Sequence, residues 1–179
     1  MCRRKSMVRR CVREPELMVM TRTKGEELSD ARMENRGGMS GLEYMRRLAG
    51  GELPQSGMAQ LMGFRLVEVS EGYAVVAVLP EERHYNGIGI AHGGLAATLL
   101  DSATGCAINS MMPAGKIFTT LEMKVNYVRP IRNEAGTVRC EARVIHAGSR
   151  VATAEGRVVD QSGKLYAHGT ATCMLFRAS

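Results

Sequence analysis

Tryptophan is absent from this 179-residue chain, and aromatic residues make up only 4% of it, three Phe and five Tyr. Basic patches interleaved with aromatics, the usual platform for single-stranded nucleic acid, are therefore missing. No apolar run approaches the roughly 20 residues of a membrane-spanning helix, which excludes that class. The apolar stretch Leu17-Met18-Val19-Met20 is too short for the core of a signal peptide. The five cysteines, Cys2, Cys11, Cys106, Cys140 and Cys173, are odd in number and show no CxxC spacing. Neither a disulfide framework nor a zinc site is indicated, and free thiols fit a reducing cytoplasm. Cys106, Cys140 and Cys173 stand among apolar neighbours and read as small buried hydrophobes. No glycine-rich phosphate loop of the P-loop or Rossmann type occurs.

Charge is present but unevenly placed. The net charge is +6. Residues 1–38 hold 10 Lys/Arg against 6 Asp/Glu, and residues 39–179 hold 14 against 12. All eight Phe and Tyr lie after residue 38. A charged segment without aromatics buries too little apolar surface to offset its ordering entropy. Residues 1–38 therefore read as a weakly structured basic extension, or as the product of a start assigned upstream of Met39. Six acidic residues argue against a transit peptide. Residues 39–179 are then the folding domain.

Within that domain, Ser40 and Glu43 form a capping-box pattern ahead of a short helix over 40–48. Residues 55–61 suggest a further helical turn. Residues 64–69 and 73–79 read as a hairpin across Glu71-Gly72. From Gly93 to Ile108 the chain is apolar on nearly every side of a helical wheel, the pattern of a buried helix. The remainder alternates at period two: residues 121–127, 138–144, 150–159 and 164–176, separated by Pro130 and by turn signals at Gly136, Gly148 and Gly163. The implied order is a hairpin, one buried helix, then a four-strand meander. Its simplest packing is an α+β arrangement, one antiparallel sheet curled around one central helix. Such a sheet leaves open edges, so association into at least a dimer is expected.

Two features of the helix carry chemistry. Asp101 is a carboxylate flanked by Leu99, Leu100, Ala103 and Cys106. Burial among such neighbours would make it a candidate acid–base group. His92-Gly93-Gly94 stands at the helix start, where approachable backbone N–H groups and the helix dipole favour a developing negative charge. Gly93 and Asp101 are eight positions apart, hence ~12 Å along the axis and on different faces. One helix cannot aim both at one carbonyl. If both serve one substrate, the site is built between two chains.

The span Asn86-Gly-Ile-Gly-Ile-Ala-His92-Gly93-Gly94, followed by Leu-Ala-Ala-Thr-Leu-Leu-Asp101, resembles the hotdog-fold thioesterases of the phenylacetate-pathway, PaaI-like group. The stretch Thr119-Thr120-Leu-Glu122-Met-Lys-Val-Asn126-Tyr127-Val-Arg129-Pro130 is similar to the next element of that family. The resemblance covers residues 40–177. It implies a hotdog fold and hydrolysis of aryl- or medium-chain acyl-CoA, with coenzyme A as part of the substrate and no separate cofactor or metal. By position it makes Asp101 the general base or nucleophile and Gly93 the N–H that polarises the thioester carbonyl. Asn86 would help place water or thioester, and Thr120 would orient the water or the carboxylate. The family's site joins Asn86 and Gly93 of one chain to Asp101 and Thr120 of another, in a homodimer or homotetramer.

His92 and Gly94 are candidates for contact with the substrate, His92 chiefly as a scaffold for the loop. Arg129 and Arg150 are candidates for the CoA phosphates, since guanidinium groups suit phosphate oxygens. His84 reads as a surface loop residue and Glu122 as an exposed charge. Met58, Leu61, Met62 and Phe64 are conjectural lining for the acyl group. Two alternatives differ in chemistry. A hotdog hydratase or dehydratase would carry a catalytic His on the helix, and this helix has none. A non-catalytic acyl-CoA regulator with a nucleic-acid-binding arm rests only on the cluster from Arg3 to Arg13. The reading taken is a thioesterase with no nucleic-acid or membrane partner.

Overall fold

The computed structural model describes residues 38–177. The expectations for the basic extension up to residue 37 lie outside the described residues.

Helix α1, Gly41–Ala49, begins where the Ser40 side chain accepts the Glu43 N–H. Glu43 turns instead to Arg47, one helical turn on, so only half of the capping box forms. Helix α2, Gly57–Met62, is capped by the Ser56 hydroxyl and closed by Gly63 at φ +68°. Strands β1, Arg65–Ser70, and β2, Tyr73–Val78, pair as the expected hairpin. Helix α3, Gly93–Ser110, follows, then β3, Lys116–Tyr127, β4, Val138–Ala147, β5, Val151–Val159, and β6, Leu165–Arg177.

All six strands form one antiparallel sheet in the order β1-β2-β4-β5-β6-β3. The expected four-strand meander is corrected here: only β4-β5-β6 is a meander, and β3 lies beyond β6. The reason is local. The segment between β3 and β4 is too long for a tight turn, and it starts by donating Val128 and Arg129 N–H to Tyr166 O on β6. Strand β2 takes the place beside β4, in register from Tyr73↔Arg143 to Val78↔Val138. Strands β1 and β3 are therefore the sheet edges.

Helix α3 lies across the sheet. Leu95, Leu99, Leu100 and Ile108 are fully buried against it, each worth ~1.5–3 kcal/mol of apolar burial. Helix and sheet approach closely where Gly156 and Gly169 face each other across β5 and β6. A Cβ on Gly156 would sit 3.0 Å from Leu100 Cδ2, and one on Gly169 would sit 2.3 Å from Lys124 O. Only glycine fits at the second position.

The helix is not buried all round, and this corrects the wheel-based expectation. Gly94 and Asp101 are exposed, and Ala97, Thr98 and Ser102 are half-buried. Together they form a stripe at three- and four-residue spacing, open to solvent in the single chain. Only Ala97 on that stripe carries an apolar side chain; Gly94, Thr98, Asp101 and Ser102 suit an open face.

Candidate active site

Asp101 stands on this open stripe rather than among the buried leucines. Its neighbours in sequence, Leu99, Leu100 and Ala103, point to the sheet, while Asp101 points away. The carboxylate is not unpartnered. Thr120 Oγ1 donates to Asp101 Oδ1 at 2.9 Å. Thr120 is presented by a bulge in β3: it pairs with Cys173, Glu122 pairs with Thr172, and Leu121 between them has no partner. A bulge of this kind re-aims the flanking side chains. Leu121 is left exposed on the open edge.

Asp101 lines an open cleft of about 490 Å³ with Ser56, Met58, Phe64, Ala97, Thr98, Ser102 and Met123. One carboxylate thus faces a largely apolar space. Of the residues offered as acyl lining, Met58 and Phe64 are there; Leu61 is exposed and Met62 half-buried, and neither lines the cleft. Met123, which the sequence did not mark as lining, is there as well.

Two thiols lie close to the carboxylate. Burial pushes the Cys106 thiol up to about 12, and the Asp101 charge adds to the shift. Cys173 is also pushed up, by burial first and Asp101 last, against a hydrogen-bonding contact with Thr120 that lowers it. Both therefore stay protonated at neutral pH and are not nucleophiles. That agrees with their reading as packing residues.

The N-terminus of α3 is a second cluster. His92 is the N-cap, and its Nδ1 accepts the Gly94 N–H at 2.9 Å. That tie satisfies the Gly94 donor, so Gly94 offers no N–H to a ligand in this arrangement. The Gly93 N–H carries no acceptor among the described residues. Tyr127 covers Gly93: its hydroxyl donates to Gly93 O at 3.2 Å, and a Cβ on Gly93 would meet its ring at 3.2 Å. A Cβ here would be tight, and the Tyr127 side chain, itself largely exposed, would have to give by a few tenths of an ångström. Tyr127 lies inside the stretch that carried the resemblance, yet nothing in its spacing distinguished it from other strand residues.

The loop before the helix is held by Asn86. Its Oδ1 accepts Ile88 N–H at 3.1 Å and Ile90 N–H at 3.4 Å. Its backbone N–H donates to Ile90 O at 2.8 Å. The side-chain oxygen is thereby committed to the loop, leaving the amide NH2 as the available group. His84 is corrected from a surface residue to a buried one, 5% exposed. Its Nδ1 accepts Glu81 N–H at 2.8 Å, and its Nε2 meets Met62 O at 2.9 Å.

Within one chain the structure brings Asp101 to Thr120, and Gly93 to Tyr127. It does not bring Gly93, Asn86 or His92 to the Asp101 cleft. Arg129 and Arg150 are also absent from that cleft. Arg129 is exposed, with Nη1 donating to Leu165 O at 2.7 Å. Arg150 is exposed in the turn between β4 and β5, where its carbonyl accepts the Leu175 N–H. Glu122 is exposed, as expected, beside the Thr172 hydroxyl. Among the described residues no His/Cys/Asp/Glu group could hold a metal ion, and no helix is long and apolar enough to cross a membrane.

An antiparallel sheet on one long helix, with a carboxylate on the helix's open stripe and paired glycines at its start, defines the hotdog class. The thioesterase superfamily model matches residues 88–167. A conserved protein of Pseudomonas aeruginosa is 35% identical; the match covers 68% of this chain and 95% of that one, with a TM-score of 0.64. The phenylacetic acid degradation protein PaaI of Thermus thermophilus, solved as a mutant, is 31% identical over 66% of this chain and 98% of its own, with a TM-score of 0.60. A curated protein of Halobacterium salinarum is 34% identical over 83 residues, 44% of this chain and 55% of that protein. The chain spans about half the length of the curated relatives it matches. It belongs to the thioesterase superfamily, a class of thioester hydrolases, and is PaaI-like within it.

Proposed function

We propose that the protein hydrolyses acyl-CoA thioesters with an aryl or medium-chain acyl group, at sites shared between two copies of the chain. The observation that carries this reading is the Thr120–Asp101 hydrogen bond at the mouth of an apolar cleft. A carboxylate oriented by a hydroxyl and facing apolar space suits an acyl thioester and an attacking water.

Asp101 takes a proton from water as the water oxygen bonds to the thioester carbon, or attacks that carbon itself. The carbonyl π electrons move to oxygen. That oxyanion is met by the Gly93 N–H of a second copy, whose α3 runs antiparallel to the first. Collapse of the intermediate breaks the C–S bond. With water as nucleophile, the proton held by Asp101 passes to the CoA sulfur and the free acid leaves. With Asp101 as nucleophile, CoA leaves as thiolate and an Asp101–acyl anhydride remains; water cleaves it to the acid and the free carboxylate, its proton going to the thiolate. Asn86 shapes the loop ahead of Gly93, and its NH2 is free to donate to water or to the thioester oxygen. Thr120 holds Asp101 in place. Arg129 and Arg150 are offered for the CoA phosphates, His92 and Gly94 as the cap that keeps Gly93 aimed. The reaction requires no metal or organic cofactor. Edge strand β3, with exposed Leu121 and Tyr127, supports pairing into a homodimer, which two dimers can extend to a homotetramer. The free thiols of Cys106, Cys140 and Cys173 suit a reducing cytoplasm.

A thiol-release screen over aryl-CoA and straight-chain acyl-CoA substrates tests the reading. Saturable release of CoA thiol from at least one class is expected. No release from either, with hydration of an enoyl-CoA in its place, would transfer the site to the hydratases.

A further inference from the structure

We propose that His84 is a positioning residue: its imidazole, held as the neutral Nε2–H tautomer, ties the cleft wall at α2 to the loop that presents Gly93. The proposal extends the thioesterase reading to a residue outside the catalytic set. Nδ1 accepts the Glu81 N–H at 2.8 Å, so that nitrogen carries no proton. The group facing Nε2 is a carbonyl, Met62 O at 2.9 Å, so Nε2 carries it. Both ring nitrogens are used, and the residue is 5% exposed.

The two bonds lead to different elements: one to the Gly93 that serves the Asp101 of a second copy, the other to the wall of this chain's own Asp101 cleft. The Glu81 bond closes the turn over Glu82–His84, and the His84 carbonyl then accepts the His92 N–H at 2.7 Å. His92 caps α3 and precedes Gly93. The Met62 bond fixes the last residue of α2, two positions before Phe64 and four after Met58, both of which line the Asp101 cleft. Arg83 reinforces the same contact. Its guanidinium lies over Gly63, where a Cβ would sit 2.8 Å from Nη2, and it pairs with Glu81 at 2.9 Å.

Two conservative variants separate the bonds. In His84→Asn the amide reaches the position of Nδ1, keeping an acceptor for Glu81 N–H and losing the tie to Met62. In His84→Gln it reaches the position of Nε2, keeping a donor for Met62 O and losing the turn. A lost buried hydrogen bond corresponds to about a fivefold effect. His84→Asn is expected to raise KM about fivefold with kcat little changed, and His84→Gln to lower kcat about fivefold with KM little changed, at that magnitude. Backbone hydrogen exchange, read on the full chain without substrate, should rise at 62–64 in the first variant and at 92–94 in the second. Equal kinetic losses in both variants, or a rise at both segments in each, would overturn the two-armed role. If the wild type releases no thiol, the exchange pattern alone decides for or against His84, and only the thioesterase reading fails.

Discussion

Replacing Thr120 by Val isolates the bond that orients Asp101. Valine keeps the branched shape of threonine and its strand preference, so β3 and its bulge should persist. What disappears is the 2.9 Å hydrogen bond to Asp101 Oδ1. A bond to a charged group is worth ~1.5–3 kcal/mol where water is excluded, and less where water can substitute. Asp101 is exposed in the single chain, so the effect on folding stability should stay below ~1 kcal/mol. At the proposed interface, with acyl-CoA bound, water is displaced and the full value applies. That predicts a fall in kcat of roughly 10-fold to 150-fold. The assay is CoA thiol release at saturating substrate, beside thermal unfolding of the same preparation. Thr120→Ser should restore most of the loss, since it returns the hydroxyl. Activity of Thr120→Val within twofold of wild type, or a loss matched by unfolding, would refute the role given to this bond.

Other consequences can be checked directly. Gly169→Ala should destabilise by about 2 kcal/mol or more, because its Cβ would lie 2.3 Å from Lys124 O and the backbone must move; denaturant midpoints measure this. The Ser162 hydroxyl, with the Lys164 and Ser162 N–H groups and the Tyr166 hydroxyl, holds the Asp160 carboxyl down to about 2 from 3.8. A depressed carboxylate stabilises the fold above its unfolded value, and that contribution is lost as pH falls from about 4 to about 2. Asp160→Asn should lack this part of the acid unfolding curve. Cys106, pushed up to about 12 by burial, should resist alkylation at pH 8 in the folded protein and react after denaturation, as peptide mapping would show. Mixing inactive Asp101→Asn with inactive Asn86→Ala chains should restore about a quarter of wild-type activity, since half of the dimers then carry one complete site; no recovery would argue against sites shared between chains.

Much of the fold could be read from local signals. The hairpin around Gly72, the capping serine of α1 and the alternation in β4 are written in neighbouring residues, and they fold as their patterns require. The place of β3 was not. Strand order depends on which edge a ten-residue connection reaches, and period two says nothing of that. The stripe on α3 was hidden for a different reason. Alanine, glycine and threonine are small enough to sit at an open surface or in a core, so a wheel cannot assign them. Asp101 therefore stands on an open face and not in the apolar surroundings that its sequence neighbours suggest. His84 looked like a loop residue because its two partners, Glu81 N–H and Met62 O, are backbone groups without a sequence signature. Tyr127 was invisible likewise, since its contact is with the backbone of Gly93.

The most direct test of Asp101 as the reacting carboxylate is Asp101→Asn, assayed by CoA thiol release on the best wild-type substrate. The amide matches the carboxylate in size but neither takes the proton nor attacks. Because Asp101 is exposed in the chain, the fold should hold, with a thermal midpoint close to that of wild type. Removing acid–base catalysis should lower kcat by about a hundredfold to ten-thousandfold. Turnover of Asp101→Asn within tenfold of wild type would contradict the account.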